Sequence, residues 1–257
     1  MAELITRREG QVGWVVFSNP AKLNAVTYDM MTALPEALAR LDRDPQVKVI
    51  AFGGSGMRAF VSGADIKEFG ATRGSAGATA TYNHAMDEAY KAVCGARKPT
   101  LACVRGMCFG VGLSVALYCD LRICADDAEF SHQAAKLGMA ISFPSIKRLV
   151  DIVGAAGATD LLFTGRRMKA DEALALGLVH RVFPAAELEA AFAKLAGEVA
   201  EGAPLSLASF KMGIRGALGE VDMRDVKAAT DACHASEDYK EGPRAFAEKR
   251  KPNFRGR

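Results

Sequence analysis

Short apolar runs alternate with amphipathic stretches along the first part of the chain. The segments Gly13 to Ser18 and Val47 to Phe52 are rich in Val, Ile and aromatic residues and end at Asn-Pro or Gly-Gly turn signals, which predicts two strands. Between them we predict a helix that begins after Thr27, a residue type that caps helices well. Its apolar residues recur at helical spacing and predict one buried face: Met30, Met31, Leu34, Leu38 and Leu41.

The same alternation continues further along the chain. A second helix is predicted over Thr79 to Val93, and strands are predicted over Thr100 to Val104 and Leu121 to Ala125. The segment Ala71 to Ala80, made largely of Gly, Ser, Thr and Ala, is expected to be a mobile loop. Strands that alternate with helices indicate an α/β architecture.

The pattern changes after Phe183-Pro184 to Ala, Leu and Glu residues at helical spacing. Helices are predicted over Glu187 to Glu201, over Pro204 to Leu218 and near Tyr239 to Lys249. We therefore divide the chain near residue 195, into an α/β core at 1–195 and a helical region at 196–257. Because these amphipathic helices hold more apolar surface than a short appendage buries on its own core, we expect the helical region to drive assembly.

Composition agrees with an ordinary globular protein. The chain has 257 residues, of which 50% are apolar and 25% charged. Its most apolar uncharged stretch, Gly106 to Cys119, runs 14 residues and holds three glycines, which is too short and too broken for a membrane span. Charged residues occur near Met1 before an apolar signal core could form, so a cytoplasmic location is expected.

The cysteines, the histidines and the charge distribution limit the kinds of site that the chain can form. The six cysteines form no CxxC pair and are expected to be buried free thiols, and the four histidines lack metal-ligand spacing, so no metal site is predicted. Net charge is +3, but Lys240 to Arg257 carries seven Lys/Arg against two Glu. This local basic tail is a weak nucleic-acid signal and suits an anionic small molecule at least as well, so no nucleic-acid partner is expected.

Three glycine turns are candidate ligand sites. The first, Gly54-x-Gly56-x-x-Ala59, follows a strand but does not open a helix, which disfavours a dinucleotide site. The turns Gly63-Ala64-Asp65 and Gly110-Val111-Gly112 each lie between an extended apolar stretch and a predicted helix start. Free N–H groups at helix starts stabilise negative oxygen, and two converging turns would form an oxyanion hole. The alternative from spacing alone is that these glycines only permit tight turns.

Five strings, taken in order, resemble the crotonase superfamily, that is, the enoyl-CoA hydratase/isomerase family. They are Asn19-Pro20-Ala21-Lys22-Leu23-Asn24-Ala25, the segment Ala59 to Phe69, Gly106-Met107-Cys108-Phe109-Gly110-Val111-Gly112, Cys119-Asp120-Leu121-Arg122, and the segment Lys240 to Lys251. The resemblance implies a spiral of stacked ββα units with a helical trimerisation region. It also implies trimers or dimers of trimers and a coenzyme A thioester as substrate, with no tightly bound cofactor.

The resemblance also implies roles for single residues. It assigns the backbone N–H groups of Ala64 and Val111 to an oxyanion hole around the thioester carbonyl. Positions that line the adenine and pantetheine groove match Lys22, Leu23, Ala64, Asp65 and Ile66. Phe246 and Lys249 match a C-terminal helix that reaches the coenzyme A of a neighbouring subunit. Without the resemblance, Lys249 would equally suit a solvated basic face.

The two catalytic glutamates of hydratases in this family are absent. In register they fall on Ser114 and Ala134, and no Asp or Glu occurs from Ala89 to Cys119 or from Phe130 to Val150. Hydration needs groups that activate water and deliver a proton at the α-carbon. The usual two-carboxylate mechanism is therefore excluded from its expected places.

Other polar residues are candidates for proton transfer. Ser114 either orients a water or only caps its helix, and His132 is either a base or a structural histidine at a strand edge or trimer contact. A relative that removes aromatic halide uses a histidine on the helix that corresponds to Thr79–Val93, where the register gives Asp87 rather than His84.

These observations predict an enzyme that processes acyl-CoA thioesters. Isomerisation or decarboxylation, which need mainly enolate stabilisation, would survive the loss of the glutamates better than hydration. The alternative is a non-catalytic acyl-CoA-binding or assembly subunit. An enzyme should have a polar side chain near the acyl α- and β-carbons, whereas a binding subunit could have an entirely apolar pocket.

Overall fold

The computed structural model describes residues 2–257, which form ten strands and ten α-helices. The strands are β1 (Glu3–Glu9), β2 (Val12–Ser18), β3 (Val49–Gly54), β4 (Ala59–Val61), β5 (Thr100–Val104), β6 (Met107–Phe109), β7 (Leu121–Ala125), β8 (Glu129–Ser131), β9 (Met168–Lys169) and β10 (Arg181–Phe183). The α-helices are α1 (Tyr28–Arg43), α2 (Phe69–Thr72), α3 (Ala76–Gly95), α4 (Val111–Tyr118), α5 (Phe143–Thr164), α6 (Ala170–Ala175), α7 (Leu188–Ala200), α8 (Pro204–Ala217), α9 (Met223–His234) and α10 (Glu237–Ala247).

The strands form two sheets joined by a repeating connection. The large sheet has the order β1-β2-β3-β5-β7-β10 and the small sheet the order β4-β6-β8-β9. Three successive stretches each give one strand to the large sheet, one to the small sheet and then a helix: β3-β4-α3 (with α2 before α3), β5-β6-α4 and β7-β8-α5. The predicted α/β class and the stacked ββα units are therefore confirmed.

Helix α1 illustrates how the local sequence builds these elements. The Thr27 hydroxyl accepts a hydrogen bond from the Met30 N–H, which satisfies one free donor of the first turn. Asp29 lies in the first turn and Arg43 in the last, where their charges suit the helix dipole. The predicted apolar face is buried, as Met30, Met31, Leu34, Leu38 and Leu41 all belong to one core cluster.

The core covers both faces of the large sheet. One cluster joins the sheet to α1, α3, α4 and α5, and a second lies beneath α7. There Phe192 packs against Trp14 with ring centroids 5.0 Å apart. The boundary proposed near residue 195 falls inside α7, whose buried residues contact the sheet; the division into core and helical region stays a prediction.

One segment was predicted incorrectly. Ala71 to Ala80 is not a loop throughout, because α2 runs to Thr72 and α3 already begins at Ala76. The Ser75 hydroxyl accepts a hydrogen bond from the Ala78 N–H and so caps α3. The consequence is that Arg73, between the two helices, has a defined place on the wall of the cavity described below.

The cysteines form no disulfides in the chain, and most of their thiols are buried. All six cysteines are free, and four are buried: Cys94, Cys108, Cys119 and Cys124. Burial raises the pKa of Cys103 and of Cys124 to about 12, and it also raises the pKa of Cys108 and of Cys119. Within residues 2–257, no helix combines the length and apolar character needed to cross a bilayer.

Candidate active site

A cavity of about 670 Å³ opens between the small sheet, α3 and the start of α4. Seven predicted site residues line it: Lys22, Ala64, Asp65, Ile66, Val111, Ser114 and His132. Three others, Leu23, Phe246 and Lys249, lie outside its lining. Most of the predicted site residues therefore line one cavity, although they lie far apart in the sequence.

In the turn at Ala64, the backbone N–H of Ala64 itself is left without a hydrogen bond to the segment at Val26 that pairs with the turn. The Val26 N–H donates to the Gly63 carbonyl at 2.9 Å, and the Asp65 N–H donates to the Val26 carbonyl at 2.8 Å. Because successive N–H groups of extended chain point to opposite sides, the Ala64 N–H faces away from Val26. It has no acceptor within residues 2–257, and Ala64 lines the cavity.

The second turn meets the first. The Gly110 N–H donates to the Ser131 carbonyl at 2.9 Å, and α4 begins at the next residue, Val111. As the first residue of a helix, Val111 has no intrahelical acceptor, and its N–H finds no other acceptor in the described part of the chain. A Cβ placed on Gly110 would lie 3.8 Å from the Gly63 Cα, so the two turns are in contact. Two unpartnered N–H groups thus border one cavity.

An ion pair forms one rim of the cavity. The Lys22 ammonium donates to the Asp65 carboxylate, whose other oxygen accepts from the Lys67 N–H at 3.2 Å. The Lys22 hydrogen bond is the main reason why the pKa of Asp65 is lowered. Asp65 therefore caps the short 3₁₀ turn that follows it and is already engaged, which leaves it poorly suited to proton transfer.

The two positions that the sequence resemblance matches to the glutamates of hydratases both line the cavity. Ser114 lies on α4 with 4% of its surface exposed, and Ala134 lies in a 3₁₀ turn after β8. Burial raises the pKa of Tyr90, and the neighbouring Ser114 hydroxyl opposes that rise. The Tyr90 ring stacks on Tyr118 with centroids 5.2 Å apart. Ser114 thus contacts an aromatic wall and no carboxylate.

His132 faces the cavity as a neutral imidazole. Its side chain is 8% exposed, and its buried Nδ1 has no hydrogen-bond partner among residues 2–257. Burial lowers its pKa to about 4, so the ring is uncharged near neutral pH. Its Nδ1 is thus not satisfied at a strand edge within the chain. The low pKa makes it a weak proton acceptor.

Helix α3 adds a carboxylate to the cavity. Asp87 lines the wall, whereas His84 is exposed and lies outside it. No basic group lies within 4.0 Å of the Asp87 carboxylate in the described chain. The sequence analysis also missed Arg73 as a cavity residue, because it lies in the segment predicted to be a loop.

The C-terminal residues lie apart from the cavity. Phe246 is 87% exposed near the end of α10, and the roles of Phe246 and Lys249 toward a neighbouring subunit stay predictions. Part of the basic tail is neutralised, because Arg244 and Arg250 both donate to Glu241. In residues 2–257 no cluster of three or more His, Cys, Asp or Glu side chains is arranged to hold a metal ion.

Comparison with known proteins gives a consistent assignment. The family model described as enoyl-CoA hydratase/isomerase matches residues 7–257. The short-chain-enoyl-CoA hydratase of Clostridium acetobutylicum is 31% identical over 96% of this chain and 95% of its own. The carnitinyl-CoA dehydratase of Escherichia coli K12 is 34% identical over 97% of each chain.

Solved structures agree with the sequence comparisons. A family protein from Hyphomonas neptunium superposes with a TM-score of 0.94 at 32% identity, covering 99% of this chain and 98% of that one. An enoyl-CoA hydratase/carnithine racemase from Magnetospirillum magneticum gives 0.93 at 33% identity, covering 100% and 97%. With the family model spanning nearly the whole chain and the fold shared throughout, this chain belongs to the enoyl-CoA hydratase/isomerase family of the crotonase superfamily.

Proposed function

We propose that this protein is an enzyme that binds a coenzyme A thioester and polarises its carbonyl with the N–H groups of Ala64 and Val111. The observation that carries the proposal is the contact between the two glycine turns, with both N–H groups unpartnered at one cavity. Two preorganised donors stabilise the negative oxygen of an enolate in a site that excludes water. Removal of one such donor in other enzymes costs about 10²–10³ in rate.

The remaining binding residues follow from the family. Lys22, Leu23, Asp65 and Ile66 border the adenine and pantetheine groove, with Phe246 and Lys249 contributing from a neighbouring subunit. The protein would then act as a homotrimer or dimer of trimers in the cytoplasm, with coenzyme A as part of the substrate and no tightly bound cofactor.

The reaction that suits this site is deprotonation at the acyl α-carbon followed by reprotonation, as in double-bond isomerisation, or decarboxylation to the same enolate. Neither Ser114 nor Ala134 supplies a carboxylate to activate water, so efficient hydration is not expected. The oxyanion hole lowers the energy of the enolate, and a separate group must carry the proton.

Asp87 is the better candidate for that group. It is a carboxylate on the cavity wall with no basic partner within ion-pair distance, whereas burial lowers the His132 pKa to about 4 and makes that imidazole a weak base. Ser114 lacks a base that would activate it. His132 and Ser114 are then left to orient water or the acyl group.

A non-catalytic acyl-CoA-binding subunit is the alternative function. It would suit an entirely apolar pocket. The presence of Ser114, His132 and Asp87 on the cavity wall favours the enzyme.

Exchange of acyl α-protons with deuterium oxide tests the proposal independently of the final product. We expect the wild type to accelerate exchange in butyryl-CoA, Asp87→Asn to lose at least about 100-fold of that rate, and His132→Gln to lose less. Glu88→Gln is the matched control, because Glu88 is exposed on the same helix and pairs only with Lys91. Tight binding without exchange would support the binding subunit, and absence of acyl-CoA binding would refute both functions.

A further inference from the structure

Arg73 carries its positive charge on the wall of the cavity between two aromatic rings. Its guanidinium carbon lies 4.0 Å from the Tyr82 ring centroid and 4.6 Å from that of Phe69. Such contacts attract a cation to the face of a ring. They fix the plane of the guanidinium, so that its remaining N–H groups are presented in a set direction.

The hydrogen-bonding capacity of this guanidinium is largely unused. No carboxylate lies within 4.0 Å of it in residues 2–257, and its Nη1 donates only to the Met139 sulfur at 3.0 Å. Its Nε is buried and has no partner. Thioether sulfur is a weak acceptor, and a buried unsatisfied donor on a charged group is costly. Nε is sealed from the cavity, so the donors open to a ligand are those of the two terminal nitrogens, which could take an anion end-on.

Arg73 precedes α3 and lies at the end of the cavity away from the two glycine turns, where the thioester carbonyl is proposed to bind. Tyr82, Met86 and Tyr90 follow one another at helical spacing on the cavity face of α3. Arg73 lies over Tyr82, while Tyr90 contacts Ser114 in the first turn of α4. The eight residues from Tyr82 to Tyr90 span about 12 Å at 1.5 Å per residue. An acyl chain that begins at the two glycine turns would need several carbons to reach Arg73.

We propose that Arg73 binds a carboxylate at the far end of the acyl group, so that the substrate is a coenzyme A monothioester of a dicarboxylic acid. This inference rests on the proposed function. A planar guanidinium pairs with a carboxylate through two parallel hydrogen bonds, which matches the unused donors. Because the same pairing stabilises the carboxylate charge, the bound group is an anchor and not the carbon dioxide that a decarboxylation would release.

A phosphate of coenzyme A could satisfy the same donors, so the test compares ligands that differ only in the acyl end. Isothermal titration would use matched pairs of saturated thioesters: succinyl- with butyryl-CoA, glutaryl- with pentanoyl-CoA, and adipyl- with hexanoyl-CoA, together with free coenzyme A. The variants are Arg73→Gln, which removes the charge, and Arg73→Lys, which keeps the charge without the planar pair of donors. Arg58→Gln is the control, since Arg58 is exposed and outside the cavity lining.

For at least one chain length we expect the dicarboxylic member to bind about 10- to 100-fold more tightly than its partner, the range for hydrogen bonds to charged groups. Arg73→Gln should abolish that preference and leave the monocarboxylic members unchanged, which also shows that the variant is folded. Arg73→Lys should retain part of it, and Arg58→Gln all of it.

Two results would overturn the inference while the proposed function stands. In one, every ligand including free coenzyme A weakens equally in Arg73→Gln, which would assign the contact to a phosphate. In the other, no pair discriminates and the variant changes nothing. If no thioester binds the wild type at all, the proposed function itself fails.

Discussion

Gly112 and Val61 are packed so closely that a Cβ on Gly112 would lie 2.6 Å from the Val61 Cβ and 2.7 Å from its carbonyl oxygen. Gly112 is the second residue of α4, and Val61 is the last residue of β4, two residues before the turn that begins at Gly63. This contact sets how near the start of α4 comes to the strand. It therefore fixes the separation of the two N–H groups proposed to bind the thioester oxygen.

The first prediction is that Gly112→Ala displaces α4 and lowers catalysis. Because the added methyl meets backbone, we expect destabilisation of about 1–3 kcal/mol, as for overpacked cores, and at least about a tenfold loss of α-proton exchange. Urea unfolding and the exchange assay measure the two effects. Gly77→Ala is the control, since Gly77 lies in α3 with no neighbour within 4 Å. Unchanged exchange in folded Gly112→Ala would show that this contact does not position the donors.

A second prediction concerns hydration. The wild type should hydrate crotonyl-CoA at least about two orders of magnitude more slowly than a two-glutamate hydratase, because positioned acid–base groups contribute about 10²–10⁴-fold. Loss of crotonyl-CoA absorbance measures the rate. A fast wild type would show that another residue supplies the base, and His132→Ala and Asp87→Asn would then identify it.

A third prediction is a gain of function. Ser114 and Ala134 line the same cavity, so Ser114→Glu combined with Ala134→Glu should produce measurable hydration. The double variant Ser114→Gln, Ala134→Gln is the control for shape without proton transfer. If the glutamate variant binds crotonyl-CoA yet hydrates no faster than the glutamine variant, missing carboxylates alone do not explain the slow reaction.

A fourth prediction concerns stability and pH. His132 has a pKa of about 4 in the fold and about 6.5 when unfolded, so the unfolded chain binds more protons between these values. The free energy of unfolding should therefore fall as pH drops from 6.5 to 4, by at most about 3 kcal/mol from this group. His180, whose pKa is also lowered chiefly by burial, acts in the same direction.

Comparison with His132→Gln isolates the contribution of His132. Urea unfolding at several pH values should show a shallower dependence in that variant. His84→Gln should match the wild type, because His84 is exposed. Equal slopes for wild type and His132→Gln would mean that this imidazole does not remain neutral in the folded protein.

A fifth prediction concerns assembly. Phe210, Ile214 and Met223 are each more than 60% exposed on α8 and α9, beside an apolar groove between these helices. We expect light scattering at micromolar concentration to show trimers or hexamers, and Phe210→Glu to shift them toward monomers by burying an unpaired charge. A wild type that stays monomeric would contradict this assembly.

Sequence patterns predicted best the elements buried on both faces. Strands β5 and β7 have the predicted bounds, Thr100–Val104 and Leu121–Ala125, because central parallel strands are nearly continuous apolar runs. Strand β1 was missed, since an edge strand with exposed faces carries charges such as Arg7 and Arg8. Helix α9 was missed as well, because its only large aliphatic residues are Met223 and Val226 among charged and small ones, and its apolar face is left exposed in the single chain.

For the candidate site, the sequence predicted which positions belong to it but not how their groups are arranged in space. Spacing located the turns at Ala64 and Val111 but left open whether they only allow tight bends. What frees the Ala64 N–H is its bridge to Val26, a contact between segments far apart in sequence. Arg73 could not be identified from the sequence. It lies just before Ser75, the residue that caps α3, in a stretch whose Gly, Ser, Thr and Ala content is typical of a loop.

The buried thiols described above also determine how the protein responds to chemical modification. Burial keeps the Cys103, Cys108, Cys119 and Cys124 thiols protonated at neutral pH, and a protonated thiol reacts poorly with alkylating reagents. Cys233 is only partly buried, and its sulfur lies 3.3 Å from the Ser206 hydroxyl beside the groove between α8 and α9. The unaltered chain therefore carries its own labelling site, whose alkylation rate reports whether another subunit covers that groove.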